Sequence, residues 1–265
     1  MDEQDITIRR VETVADCVAC RDAQRKAWGI VDDSYLIPIA TMIGAAHHGG
    51  LVLGAFLPSG EAVGLSFAFL GRVRDRWCLY SQLTGVVPDC QGNGLGGRMK
   101  SLQREYARSI GLDFIAWAFD PLQAGNASFN LHRLGASAAR YVPNMYGPRT
   151  DALNLGVPTD RLIAEWPSTP AESRLTIDPA GLPRLVEGPK EPRVFDFAAI
   201  GDSRALLVEI PTEIARLRTE FPDRAERWRA AIAGALGAGF AAGYRAIDVA
   251  KANGRSFYVL ARNGD

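Results

Sequence analysis

The sequence predicts an α/β fold, a mixed central sheet flanked by helices, with a smaller α/β extension behind it. Three observations lead there. Strand and helix patterns alternate along the first ~165 residues, as in layered α/β and α+β domains. Two strand runs, Leu51–Phe56 and residues 62–69, meet across Pro58-Ser59-Gly60, a hairpin turn that makes part of the sheet antiparallel. In Val86-Val87-Pro88-Asp89-Cys90-Gln91-Gly92-Asn93-Gly94-Leu95-Gly96-Gly97, a β-branched strand end runs into four glycines within six residues and straight into a helix.

Ile6-Thr7-Ile8 reads as a short first strand. Thr13 with Asp16 three residues on is a capping-box pattern, Asp replacing the usual Glu or Gln. A helix is expected from there to about Trp28, closed by Gly29 in the left-handed conformation. Asp32-Asp33-Ser34-Tyr35 forms a loop, residues 36–46 a second apolar segment, and residues 77–87 a third long strand after the hairpin. Leu95, Met99, Leu102 and Tyr106 fall at four-three-four spacing, the apolar stripe of a helix that Gly111 ends. Phe114–Phe119 is an unbroken apolar run, as in a strand buried on both faces. Residues 126–133 read as a short helix stopped by Gly135, and residues 139–142 open a strand region extending past Tyr146.

Prolines at 167, 170, 179, 183, 189 and 192 then mark an extended connection. Ala205–Ile210 reads as a strand, and Trp228, Ile232, Leu236 and Phe240 line one face of a helix. Residues 244–249 and 257–261 form a hairpin around Asn253-Gly254. The expected organisation is a domain over 1–166, the Pro-rich connection over 167–192 and a strand–helix–hairpin extension over 193–265.

Lys+Arg and Asp+Glu each number 30, so the formal charge is zero. That argues against a nucleic-acid partner, which leaves a basic excess. No apolar run approaches the ~20 residues that cross a bilayer, and the acidic opening Met1-Asp2-Glu3-Gln4-Asp5 is no secretory signal. Four cysteines make no dense framework, so a reducing cytoplasm is expected. No metal site is expected either. His47-His48 has no matched carboxylate or cysteine spacing and reads as a solvated pair. Cys17-x-x-Cys20 lies inside a helix and reads as two small buried thiols. Cys90, beside the glycines, is given no role.

The glycine segment has the build of a pyrophosphate pocket. Glycines let the backbone turn tightly and come close to an anion, and the free amides and dipole of the following helix then hold it. Gly92-x-Gly94-x-x-Gly97 also fits a dinucleotide loop, but such a loop follows the first strand of a parallel unit and wants an acid ~20 residues on, at the end of the next strand. Here a hairpin precedes it and Asp113 lies at the start of the next strand.

Gln91-x-x-Gly94-x-Gly96 resembles the Gln/Arg-x-x-Gly-x-Gly/Ala signature of the GNAT superfamily of acyl-CoA-dependent acyltransferases. The Val-x-Pro-Asp strand end before it, the helix and buried strand after it, and the asparagine-bearing segment from Asn126 to Gly135-Ala136 resemble the family in the same order, over roughly residues 6–147. The resemblance implies a largely antiparallel mixed sheet with a splayed strand pair. It implies acetyl-CoA or another acyl-CoA as co-substrate, no metal, and an amine acceptor attacking the thioester directly in a ternary complex. Pantetheine would lie along Leu83, Gly85, Val86 and Val87. The diphosphate would sit on Gln91, Gly92, Asn93, Gly94, Leu95, Gly96 and Gly97. Asn126 would hydrogen-bond the pantetheine or thioester, or cap its own helix, with Asn130 and His132 behind it.

The chain departs from the family in its acids. Leu131 stands where many relatives carry a tyrosine that protonates the thiolate, and Tyr80-Ser81-Gln82-Leu83-Thr84 carries no carboxylate. Asp120, ending the buried strand, is the substitute base or a turn cap; Tyr141 and Tyr146 are substitute acids or ordinary half-buried aromatics. Trp28, Asp32, Tyr35 and Gln82 would face the acceptor, a small-molecule amine. The extension either walls off the acceptor side or forms a homodimer surface. A non-catalytic acyl-CoA-binding protein is the rival from another class.

Overall fold

A computed structural model describes residues 6–147, 157–170, 177–188, 190–200 and 203–262. The chain divides into two compact units. The first comprises the described residues of Met1–Trp117, Tyr146–Thr159 and Pro167–Pro170; the second those of Ala118–Met145, Asp160–Trp166 and Ala171–Asp265. The sequence places its boundary after 166, whereas the first division of the chain falls at 117, inside a strand.

The first unit runs β1 (Thr7–Arg10), α1 (Val14–Trp28), α2 (Ile39–His47), β2 (Leu51–Phe56), β3 (Ala62–Val73), β4 (Arg76–Val86), α3 (Leu95–Ser109) and the first four residues of β5 (Phe114–Phe119). Thr13 caps α1, its side chain accepting from the Asp16 amide, and Gly29 closes the helix at φ 59°. Asp16 does not complete the capping box; it forms a two-pronged pair with Arg9, at 2.6 and 2.7 Å. The apolar segment expected over 36–46 is α2, entered through a 3₁₀ turn at Asp33–Tyr35.

β1 to β4 pair antiparallel in sequence order. β5 then pairs with β4 in parallel, at Leu79↔Ile115 and Tyr80↔Ala116. A parallel neighbour requires a crossover, which α3 supplies. The glycine loop therefore sits at the carboxyl end of β4 where the crossover begins, the position at which open α/β sheets take their ligands. Beyond Tyr80, residues 81–86 of β4 have no ladder partner on β5 among the described residues.

The second unit contains α4 (Ala124–Ala127), β6 (Ser137–Val142), β7 (Arg161–Pro167, its last residue in the first unit), β8 (Arg184–Glu187), β9 (Arg193–Val194), α5 (Phe197–Ile200), β10 (Ala205–Ile210), α6 (Ile214–Glu220), α7 (Pro222–Ala241), β11 (Tyr244–Ala252) and β12 (Arg255–Arg262). Its strands lie in the order β7-β6-β11-β12-β10-β8-β9. All its neighbours are antiparallel except β10 and β8. α7 buries Trp228, Ile232 and Leu236 as the periodicity requires, together with Ala225, Ala231, Ala235 and Gly239. Two expectations are corrected. The segment 167–192 is not all connection, since β8 lies inside it. The strand expected to extend past Tyr146 ends at Val142, and a turn carries residues 143–146.

Candidate functional site

The site is built on β4. Ala68 pairs with Ser81 but Phe67 pairs with Leu83, so Gln82 is an extra residue, a β-bulge. Bulges bend a strand, interrupt its ladder and gather beside active sites. Gln82 is exposed, and Leu83, Thr84 and Gly85 are half-buried. The Val87 amide bonds to the Val63 carbonyl on β3 at 2.9 Å. Because antiparallel backbone groups alternate in direction, Val86 and Thr84 turn theirs to the opposite, unladdered edge, while Leu83 and Gly85 face β3. Thr84 and Val86 thus offer an edge that a ligand can extend, whereas Leu83, Gly85 and Val87, expected along pantetheine, direct their backbone groups to β3.

At the end of β4 a 3₁₀ turn, Pro88–Cys90, leads into the glycines. Gly92 and Gly94 take φ of 87° and 72°, conformations closed to most side chains. Gly94 is the N-cap of α3 and offers it no side-chain cap, and the first turn carries no acid. The amides of residues 92–97 have no backbone acceptor among the described residues. A Cβ at Gly92, Gly96 or Gly97 would meet nothing within 4 Å, so no neighbouring atoms crowd these three glycines on that side. The Gln91 side chain folds back and donates to the Val86 carbonyl at 2.9 Å, tying loop to strand. Leu95 is buried and Asn93 exposed. The result is a run of N–H groups without a backbone acceptor among the described residues, at the positive end of a fifteen-residue helix, the kind of arrangement that favours an anion. Cys90, beside the loop, is free and buried.

The two faces of β4 differ. On one, the Trp28 ring lies against Gly85 so closely that a Cβ there would come within 2.1 Å of it. Trp28 is half-buried at the end of α1. Past it, Asp32 is exposed and accepts from the Ser34 amide at 2.9 Å, and the half-buried Tyr35 accepts from Gln24 through its carbonyl at 3.2 Å. On the other face, under α3, the contacts are polar. Lys100 donates to the Ser81 hydroxyl at 2.8 Å, and its ammonium lies 4.1 Å from the centre of the Trp117 ring. Gln103 donates to Ser66 Oγ at 2.6 Å, which in turn shares a 2.8 Å hydrogen bond with Thr84. Burial alone pulls the Lys100 ammonium down from its ordinary 10.5 to about 7.

The candidate acids and bases of the second unit are all engaged. Asp120 is the turn cap of the sequence expectation and more: one oxygen accepts from the Leu122 amide at 2.9 Å, the other from Arg218 at 2.9 Å. Tyr141 donates to Asp160. Burial, and then that bond, push its pKa well above the usual tyrosine value, so its proton is held. Burial would raise Asp160, but Tyr141, the Asn144 amide and Arg229 outweigh it and keep the carboxyl below its usual range. Asn126 is exposed within α4, not its N-cap; its carbonyl accepts from the Asn130 amide at 3.1 Å. Residues 128–133 form a π-helical turn instead of the expected α-helix, with Leu131 fully buried and His132 2.9 Å from Asp248. Tyr146, in the first unit, bonds through its amide to Thr159 at 2.9 Å. His47 and His48 are exposed. Cys17 and Cys20 are free and buried, and burial first of all lifts Cys20 to about 12. Among the described residues no cluster of His, Cys, Asp or Glu could hold a metal, and no helix is long and apolar enough to cross a membrane.

No family model matches this chain, and no curated protein matches it. Solved structures are similar to it over part of its length. A ribosomal-protein-S18-alanine N-acetyltransferase from Escherichia coli shares 19% identity over 65% of this chain and 99% of its own, with a TM-score of 0.48. A GNAT-superfamily phosphinothricin acetyltransferase from Sinorhizobium meliloti, solved with acetyl-CoA, shares 18% over 62% of this chain and 88% of its own, with a TM-score of 0.48. An N-acetyltransferase from Staphylococcus aureus shares 14% over 62% of this chain and 99% of its own, with a TM-score of 0.49.

Proposed function

We propose that this protein is an acyl-CoA-dependent N-acyltransferase, with acetyl-CoA the first donor to test and a small-molecule amine the acceptor. One observation carries the reading. An uncapped nest of amides at residues 92–97 lies at the end of a bulged strand whose residues 81–86 lack a β5 partner. A diphosphate fits the nest, and an extended amide-bearing arm fits the strand edge, because pantetheine carries its own N–H and C=O groups and can pair as a strand does. A dinucleotide would use only the nest.

The arm's length supports a position for its thioester. About twelve bonds separate the diphosphate from sulfur, the reach of four residues of extended chain, or roughly 14 Å. With the arm taken to enter the open edge at Val86, where the Gln91 side chain ties the loop to the strand, that reach runs to the Gln82 bulge. There the acceptor amine attacks the thioester carbon, the tetrahedral intermediate forms and the C–S bond breaks. No covalent enzyme intermediate is needed; positioning supplies much of the rate. Trp28, Tyr35 and Gln82 are the side chains proposed to meet the acceptor. Four buried free cysteines agree with a cytoplasmic setting.

Titration calorimetry with coenzyme A, NAD and NADP tests the donor. Coenzyme A alone is expected to bind, and binding of NAD in its place would overturn the assignment. Incubation with acetyl-CoA and an amine panel, following thiol release, tests catalysis. A second reading, a non-turnover acyl-CoA sensor, is favoured by the engaged state of Asp120 and Tyr141. Micromolar coenzyme A affinity with no thiol release on any amine would establish it instead.

A further inference from the structure

We infer that Lys100 is a positioning residue for the leaving thiolate: acting through Ser81, its buried ammonium stabilises the charge that collects on sulfur as the C–S bond breaks. The inference rests on the acyl-CoA reading above and adds a residue to it.

Lys100 lies on α3 but beneath β4, 5% exposed. Its Nζ contacts Ser81, the residue immediately before the Gln82 bulge and the first beyond the last β4–β5 pair. Trp117, under its ammonium, is the first β5 residue past that same pair. The ammonium therefore sits where the two strands cease to pair, beside the point at which the arm's length ends the thioester. A charge left in a core without a carboxylate is destabilising, and side chains that cost stability are retained where they work.

Among the described residues, the groups around it carry no compensating charge. Ser81 of β4, Trp117 of β5 and Ser66 of β3 are neutral, and on α3 itself the neighbours one turn on are Gln103 and Arg104. Arg104 points to the Pro167 carbonyl at 2.9 Å. Asp113, before β5, is exposed and lies 3.9 Å from Arg76. Gln103 Oε1 is also buried without a partner among the described residues, so this underside holds more polar capacity than they satisfy. An ammonium so placed is partly neutral near pH 7 in the free protein, and an adjacent thiolate draws it to the charged form.

The chemistry balances without spending the lysine. The amine lone pair forms the N–C bond, and the C–S pair leaves on sulfur. The proton released by the amine is the one that sulfur finally takes through solvent, and Lys100 keeps its own.

The test uses coenzyme A itself, with the full chain in excess so that all coenzyme A is bound, and needs no acceptor. The pH dependence of alkylation of the bound thiol, read by mass spectrometry of the modified coenzyme, gives its ionisation midpoint. In the native protein the midpoint is expected about one pH unit lower than in Lys100→Met, or tenfold in thiolate fraction near neutrality. Lys100→Arg is expected to restore it, and Ser81→Ala to shift it part of the way. Equal midpoints in native and K100M protein, with coenzyme A bound to both, overturn this inference alone. Loss of binding confined to K100M overturns it by making Lys100 a binding residue. Failure of the native protein to bind coenzyme A overturns the acyl-CoA reading and this inference with it.

Discussion

Lys100 and Asp160 are both buried charges, one in each unit, and they are treated in opposite ways. Asp160, 3% exposed, receives Tyr141, the Asn144 amide and Arg229, and Arg229 is in turn held by Glu226. Lys100, 5% exposed, receives a hydroxyl and an aromatic face and no counter-charge among the described residues. Desolvation is the same physics in both, but compensation outweighs it only at Asp160. A network that closes on itself holds a fold together. A charge left open beside a bulged, unladdered strand and an uncapped helix is placed for something that arrives later.

The sharpest way to break this contrast is at the nest. Gly94→Asp sets a carboxylate where an anion should bind and puts a Cβ at φ 72°. Coenzyme A affinity should fall by at least about a hundredfold, near 3 kcal/mol on the binding scale. Calorimetry on the variant decides it, with circular dichroism to show that it is folded. An unchanged Kd would mean that the amides at 92–97 are not the anion site.

On the compensated side, Asp160→Asn keeps the shape and removes the charge that Arg229 answers. Breaking one partner of a buried pair costs about 3 kcal/mol. Urea denaturation should show that loss, and a change below about 1 kcal/mol would mean the network is decorative.

Lys100 predicts the opposite sign. Its folded pKa lies below the unfolded one, so between about pH 7 and 10 the unfolded chain binds the extra proton. Stability therefore rises with pH across that window, and the penalty is complete below it. From pH 7 to 9 the gain should be roughly 2 kcal/mol in the native protein. In Lys100→Met that slope should vanish and the pH 7 stability should rise, although the bound thiol becomes harder to ionise. Thermal melts at several pH values measure this; a K100M protein less stable than native at pH 7 contradicts an uncompensated charge.

The same contrast explains what could be seen in the sequence. The α1 caps at Thr13 and Gly29 and the glycine loop are local patterns, complete within a few residues, and the chain shows them directly. α3 is different. The stripe Leu95, Met99, Leu102 and Tyr106 predicts its buried face, but the residues buried are Leu95, Met99, Lys100, Gln103 and Ala107. The face is rotated because Ser66, Ser81 and Thr84 line the other side, and polar residues can be buried only where remote partners meet them. The Gln82 bulge depends on register with β3, and the Arg218 partner of Asp120 lies 98 residues away. Such facts belong to pairs of segments, which no single stretch displays. A lysine one place from the apolar stripe of the helix that follows the glycine loop is the available signal for Lys100.

Thr84 gives the smallest and most discriminating test, because it lies on the same polar underside as Lys100 but is a neutral group in a chain of hydrogen bonds. Its hydroxyl bonds Ser66, which already accepts from Gln103. Thr84→Val keeps the shape and leaves Ser66 one partner short, which costs about 1 kcal/mol. Neither the backbone groups of residue 84 nor the nest is altered, so coenzyme A affinity should hold within about twofold, under 0.5 kcal/mol. Two substitutions of polar groups that meet across one face of β4, Thr84 on the strand and Lys100 on α3 against it, would then move stability in opposite directions, T84V downward and K100M upward. If urea melts show both falling, Lys100 is an ordinary core residue held by Ser81 and Trp117, and the reading of its ammonium as an uncompensated charge fails.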